Sequence, residues 1–470
     1  MKIAELSGKK IAVVGLGKEG LANLKLLRKI GVKEVGLFDQ KAAENLSVEL
    51  QELVKEWQAE GAKIRWYSGA DYLKDVDGYE VVIKSPGVSP REENLRKAVE
   101  GGMIFTSATR IFLANRKGRV IGITGSKGKS TTSTLIYLLL KKAGKDVELI
   151  GNIGNTALDY LANDSAEKIY VFELSSYQLE DLEKDRLEMG VLVSFFPDHL
   201  DYHDGVENYF QAKMNLARAV KKDGWLIYNG SNQKIRGFVE KNQLEVAKKV
   251  NFLPEELQKL LQRSWQENVK EIQLSDGFVL NREKILLKGQ HNLENIVAAV
   301  EAVKEFGVKN EEIAEVLAEF KGLEHRLEEV GEFKGIKFID DAISTTPEST
   351  IAAIRSFKDE EIGSMLLGGL ERGYDFGELA KELAERKIEN LILFPETGSK
   401  IKEAVNNQQN YQPNCFFVST MQEAVELAFA KTKNGQICLL SNASPSYNLF
   451  KNFEDKGNQF KELVKKLGNI

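Results

Sequence analysis

Short apolar runs that end near glycine, each followed by a stretch with helical spacing, recur along the chain. That alternation predicts parallel sheets covered by helices, the α/β class. The first series opens with an expected strand at residues 10–14, turns through Gly15-Leu16-Gly17-Lys18-Glu19-Gly20 and enters an amphipathic stretch ending at Ile30. Residues 35–38 and 80–84 read as later strands, and Ser85-Pro86-Gly87-Val88-Ser89-Pro90 punctuates their end. A loosely patterned segment runs on to Gly118. The second series opens at residues 119–124, with further strands expected at 147–150, 169–173, 191–196 and 225–228. Residues 234–288 alternate between polar helix and short strand, and residues 291–306 carry apolar positions at helical spacing. A third series starts near Gly322, with strands expected at 335–339, 364–367, 391–394, 415–418 and 437–440 before a charged, amphipathic closing helix. The expectation is three tandem α/β domains, which suits 470 residues at roughly 150 per domain.

Composition changes this picture little. Hydrophobic residues make up 42% and charged residues 29%, ordinary for a soluble globular chain. A net charge of −5 gives no general attraction to nucleic acid or an anionic membrane, so neither is expected as a partner. An anionic substrate must then be held by local basic groups and backbone amides. Both cysteines, Cys415 and Cys438, lie in apolar strand-like runs and are expected to be reduced and buried. Residues 1–10 lack the apolar core of a signal peptide, and nothing approaches the roughly 18 apolar residues of a membrane span. The expected location is the cytoplasm.

The strongest chemical signal is Thr124-Gly125-Ser126-Lys127-Gly128-Lys129-Ser130-Thr131, between an expected strand and helix. Glycines let successive amides face a polyphosphate at the positive end of the helix, Lys129 would reach its outer phosphates, and the Ser130 hydroxyl would bind magnesium. The loop departs from the usual phosphate-loop pattern because Ile123 stands where the first glycine would fall. Gly15-x-Gly17-x-x-Gly20, with Asp39 downstream, matches a dinucleotide fingerprint and is expected to hold a nucleotide-containing ligand. Packing glycines or a redox cofactor are the competing readings. Glu173 ends an expected strand and fits a magnesium ligand. Of the four histidines, His199 follows an apolar strand and suits a metal ligand, a general base or a loop-stabilising role; His291 suits a helix start, and His203 reads as a surface loop residue without a role. Asp340 and Asp341 are adjacent at a strand end, so only one can face the site.

Together these residues resemble the Mur ligases along the whole chain. The resemblance rests on residues 125–132, Gly-Asn-Ile-Gly at 151–154, Glu-Leu-Ser-Ser-Tyr-Gln at 173–178, Asp-His-Leu-Asp at 198–201 and Tyr209-x-x-x-Lys213. It rests also on Gly-Gln-His-Asn-x-x-Asn at 289–295 and Gly-Leu-x-His-Arg at 322–326. Residues 173–178 and the stretch 439–453 are most similar to the glutamate-adding branch. The resemblance implies a Rossmann-like UDP-binding domain (1–108), a central ATP-binding domain (109–321) and a Rossmann-like closing domain (322–470). It implies ATP-dependent joining of glutamate to UDP-N-acetylmuramoyl-L-alanine through an acyl phosphate, with two magnesium ions, in cell-wall precursor synthesis. Gly15, Leu16, Gly17 and Asp39 then become a UDP cradle, and Asn152 and Ser175 substrate contacts. Ser130, Glu173, His199 and Lys213 become metal ligands, Lys213 in a carbamylated form. Asn292 and Asn295 lie by adenine, Arg326 and Asp341 contact ATP, and Thr345, Arg372, Ser446 and Phe453 receive glutamate. Domain closure and a monomeric enzyme are expected.

Two segments depart from the common D-glutamate-adding pattern: Asp341-Ala342-Ile343-Ser344-Thr345-Thr346-Pro347, and Arg372 where that pattern carries lysine. They resemble a branch that adds L-glutamate and leaves epimerisation to a partner enzyme. An oxidoreductase using the first glycine loop and a catalytically silent UDP-sugar binder are the alternatives from other classes. The Lys129 loop speaks against the first, and the intact set of Lys129, Glu173 and His199 against the second.

Overall fold

The computed structural model of the chain describes residues 1–152, 155–180, 182–184, 186–267, 270–274, 277–287 and 290–469. Ile153, Gly154 and Gly289 of the motifs above lie outside the described residues. The chain divides into two compact units, residues 1–282 with 291–316, and residues 283–290 with 317–470. No described helix is long and apolar enough to cross a membrane.

The first unit holds two parallel sheets. One has five strands in the order Lys63–Ser68, Glu34–Asp39, Lys10–Val14, Val81–Lys84, Ile104–Thr106. Strand order reverses beside Lys10–Val14, so the turns after it and after Val81–Lys84 leave the same sheet edge in opposite directions. Ligands of open α/β sheets settle in such a crevice. The other sheet has six strands in the order Lys248–Asn251, Val220–Tyr228, Leu187–Leu192, Arg119–Thr124, Ile169–Glu173, Val147–Gly151. Arg119–Thr124 pairs in parallel with both neighbours, which brings the turns after all three to one edge. A small antiparallel pair, Glu271–Gln273 with Val279–Asn281, stands apart from it.

The second unit is built on a six-stranded sheet in the order Glu328–Phe333, Ile336–Asp340, Ile437–Leu440, Ile362–Leu367, Asn390–Leu393, Asn414–Phe417. Only its first pair is antiparallel. Its central strands Ile437–Leu440, Ile362–Leu367 and Asn390–Leu393 are buried on both faces, which is why they read as apolar runs.

One expected strand is displaced. The run at 191–196 is strand only to Leu192; Phe195 leaves the ladder but stays buried against Tyr209 and Phe210, so the apolar pattern outlasts the strand. Lys63–Ser68, Ile104–Thr106 and Glu328–Phe333, absent from the expectation, are all sheet edges. Polar side chains hide Lys63–Ser68 and Glu328–Phe333 from an apolar-run search, and a length of three residues hides Ile104–Thr106. Both cysteines are free thiols, with Cys438 buried and Cys415 half-buried.

Candidate active site

Strand Arg119–Thr124 feeds the turn 125–128 and then the helix Lys129–Lys142. Gly128 caps that helix at φ +83°, and a Cβ there would lie 2.2 Å from Asn295 Oδ1 on helix Gln290–Val303. Left-handed backbone and close approach both demand glycine. The turn is braced by the segment after Leu187–Leu192: Ser126 N donates to Ser194 O at 3.0 Å, and Lys127 N to Ser194 Oγ at 2.9 Å. Ser126 Oγ donates to Phe196 O at 2.7 Å. A rigid turn at the start of a 14-residue helix is suited to hold an anion. Lys129 Nζ folds back on this turn, donating to Gly125 O (2.9 Å) and Ser126 O (3.2 Å).

A second cation meets it. Lys213, on helix Val206–Arg218, is 2% exposed and donates from Nζ to the same Gly125 O at 2.9 Å. Burial first, then the charge of Lys129, pulls its pKa well below the ordinary lysine value, against the opposing pull of Asp198 and Glu173. Glu173 is fully buried; Oε1 accepts from Asn152 Nδ2 at 2.8 Å, while Oε2 has no hydrogen-bond partner among the described residues. A buried carboxylate oxygen with an unfilled acceptor site suits a cation. His199 sits at φ +51° with its ring 5.2 Å from Tyr177. Burial lowers its pKa; Asp198 opposes this, and Lys213 and Lys129 add to it. The imidazole is thereby kept neutral, the form that ligates metals.

His203 corrects the sequence reading. It is fully buried, with Nε2 3.0 Å from Ser176 Oγ and its ring stacked on Tyr177 at 5.6 Å. Its polar neighbours suggested a surface loop, but the short helix Leu200–His203 turns the ring inward beneath the site. Ser175 caps the preceding helical turn, accepting from Gln178 N at 3.3 Å.

At the first sheet, Asp39 accepts from Leu16 N (2.7 Å) and Lys41 N (2.9 Å), and Ser85 Oγ donates to Gly15 O (2.6 Å). The carboxylate thus shapes the Gly15-Leu16-Gly17 turn directly. Direct bonds join this edge to the central loops. Gln178 Nε2 donates to Glu19 Oε1 (2.9 Å), Tyr202 OH contacts the carbonyls of Pro86 (2.9 Å) and Val88 (3.0 Å), and Arg91 pairs with Glu180.

In the second unit, Asp341 is buried, accepting from Ser441 Oγ (2.8 Å) and Leu327 N (3.2 Å). Burial pushes its carboxyl up to about 7, against hydrogen bonds from Ser344 and Ser441 and the charge of Arg326. Its neighbour Asp340 instead holds His325 Nδ1 at 2.7 Å, so the two acids do serve different partners. His325, Glu328 and Asp340 cluster closely enough for a metal, but Glu328 already takes His325 N (2.8 Å) and Lys461 (3.1 Å). Ser446 is buried against Asn442 Nδ2 (3.3 Å), Thr345 and Phe453 are half-buried, and Arg326 and Arg372 are exposed.

Residues 123–303 match the Mur ligase middle domain, and residues 325–443 the Mur ligase glutamate ligase domain. The chain is 35% identical over 468 residues to a UDP-N-acetylmuramoylalanine–D-glutamate ligase of Desulfitobacterium hafniense, covering 98% of each. The chain belongs to the Mur ligase family. A ligase of the same name from Ruminiclostridium cellulolyticum is 34% identical over 470 residues, again covering 98% of each. Two solved structures from Thermotoga maritima share the fold of this Mur ligase. One is a UDP-N-acetylmuramate-alanine ligase (TM-score 0.56, 16% identity, 98% of this chain and 100% of that one). The other is a MurF ligase in complex with ADP (TM-score 0.55, 16% identity, 99% and 97%).

For a Mur ligase, an ATP-dependent enzyme that forms amide bonds, the sequence motifs named most of the polar residues around Gly125. Ser194 and His203 escaped because each acts through a contact distant in sequence, for which local pattern holds no signal.

Proposed function

We propose that this Mur ligase joins D-glutamate to UDP-N-acetylmuramoyl-L-alanine, converting ATP to ADP and phosphate. The full-length likeness to relatives of that name supports the substrates. The observation that carries the chemistry is the cluster of Lys129, Lys213, Glu173 and His199 around the 125–128 turn. The substrate carboxylate attacks the γ-phosphorus; the bond to the bridging oxygen breaks, releasing ADP and leaving an acyl phosphate. The glutamate amine attacks the acyl carbon, loses a proton and expels phosphate.

Amides of Thr124–Thr131 and Lys129 hold the phosphates, Lys129 exchanging its loop carbonyls for phosphate oxygens. Ser130, Glu173, His199 and Lys213 would hold magnesium at two sites, where it neutralises phosphate charge. Lys213 fits that role only as a carbamate: its neutral amine adds to carbon dioxide and releases a proton. Asn152, bonded to Glu173, keeps one carboxylate oxygen aimed. Gly15, Leu16, Gly17, Asp39 and Ser175 line the UDP-substrate side, within residues 1–108 and the start of the central domain (109–321). Asn292 and Asn295 lie by adenine. Within residues 322–470, Arg326 and Asp341 are assigned to ATP and Thr345, Arg372, Ser446 and Phe453 to glutamate. The enzyme acts as a cytoplasmic monomer.

A second reading rests on Arg372 and the Ile343–Pro347 segment, which favour L-glutamate with a separate epimerase. An arginine fork binds a carboxylate differently from a lysine point charge. Phosphate release that requires ATP, the UDP-substrate and glutamate together supports the ligase; release independent of glutamate contradicts it.

A further inference from the structure

Helix Phe453–Gly468 buries a lysine that no step above uses. Lys456 is 0% exposed, and Nζ donates to Gly368 O at 2.9 Å. The ammonium also lies 4.3 Å from the centre of the Phe394 ring and 5.3 Å from that of Phe450. Burial pulls its pKa down to about 7. An apolar side chain would fill such a pocket without desolvating an amine, so packing alone does not account for lysine there. What the amine adds is direction.

Gly368 opens the turn that carries Arg372. Its φ is +105°, and a Cβ would lie 2.3 Å from Phe394 O, so the turn is pressed against the neighbouring strand end. Gly368 N donates to Asn442 O (2.7 Å), and Leu370 N to Pro445 O (2.7 Å). Asn442 in turn holds Ser446 Oγ at 3.3 Å, and Phe450 N donates to Ser446 O at 3.1 Å. Phe453 begins the helix that bears Lys456. One buried amine therefore ties together the elements that present Arg372, Ser446 and Phe453.

We infer that Lys456 is a positioning residue for the amino-acid subsite, fixing the Gly368 carbonyl and with it the turn to Arg372 relative to Phe453. The inference rests on the proposed reading that these residues receive glutamate. Full-length Lys456→Met and Lys456→Arg are compared with wild type by steady-state kinetics for each substrate and by thermal melting. A misplaced subsite raises KM for glutamate by about tenfold or more in Lys456→Met, with KM for ATP and the UDP-substrate little changed. Lys456→Arg, which still donates to a carbonyl, recovers most of the loss. If Lys456→Met fails to fold, Lys456→Gln, one bond shorter and unable to reach Gly368 O in place, is read the same way. A folded variant with unchanged KM for glutamate, or with all three KM values raised alike, overturns the proposal and leaves Lys456 a packing residue. Wild-type turnover independent of glutamate overturns the reading of the subsite itself, and the inference with it.

Discussion

Lys129 and Lys213 each place their side-chain nitrogen 2.9 Å from one acceptor, the carbonyl oxygen of Gly125. Two ammonium groups on one oxygen repel, and the more buried of them gives up its proton more readily. That one is Lys213, drawn from a helix outside the phosphate loop. On the proposed reading Lys129 serves the phosphates, while burial and the charge of Lys129 favour the neutral amine of Lys213, the form that takes up carbon dioxide.

Removing that amine tests the division. Lys213→Ala should lower turnover by about 10²–10³, the usual loss when one preorganised electrostatic group leaves a site. Acetate or propionate, small carboxylates that fit the vacated space, should restore part of it. Full activity in the variant would remove Lys213 from the metal site.

Gly128→Ala attacks the loop from another side. A left-handed residue with a Cβ costs about 1–2 kcal/mol, and this Cβ would fall 2.2 Å from Asn295 Oδ1. The variant should melt at lower temperature and bind ATP more weakly, with binding of the UDP-substrate preserved. Wild-type ATP affinity, measured by titration calorimetry, would contradict the close packing described here.

Asp341 sets a pH dependence. Its carboxyl titrates at about 7 when folded against 3.8 as a free side chain. Because the folded value is raised, its contribution to stability is fully present below pH 3.8 and is lost as pH rises through 7. The full loss is on the order of 4 kcal/mol as a ceiling. Asp341→Asn, which does not titrate, should therefore gain in melting temperature relative to wild type between mildly acidic and mildly alkaline buffer. A difference that stays flat with pH would place the Asp341 pKa near its ordinary value.

How far the sequence reaches depends on where a residue's partners lie. Strands 10–14, 119–124, 169–173 and 437–440 were legible to the residue because burial on both faces leaves an unbroken apolar run. Lys63–Ser68 was not, since on this edge strand Ile64 alone is buried. The turn at 125–128 was legible as a strand-to-helix connection because its glycines and flanking runs are contiguous. His203 and Lys456 were not: each stands among charged or polar neighbours in sequence and is buried only by elements that arrive from elsewhere. Asp341 was singled out, but its rise in pKa depends on a closed pocket that no local pattern encodes.

The central claim is tested most directly by product mass after incubation with UDP-N-acetylmuramoyl-L-alanine and ATP, offering D-glutamate and L-glutamate separately. The account predicts a product heavier by one glutamyl residue with D-glutamate, formed together with stoichiometric ADP. Product with L-glutamate alone would shift the reading to Arg372 and the Ile343–Pro347 segment as determinants of stereochemistry. No product with either amino acid would contradict the account.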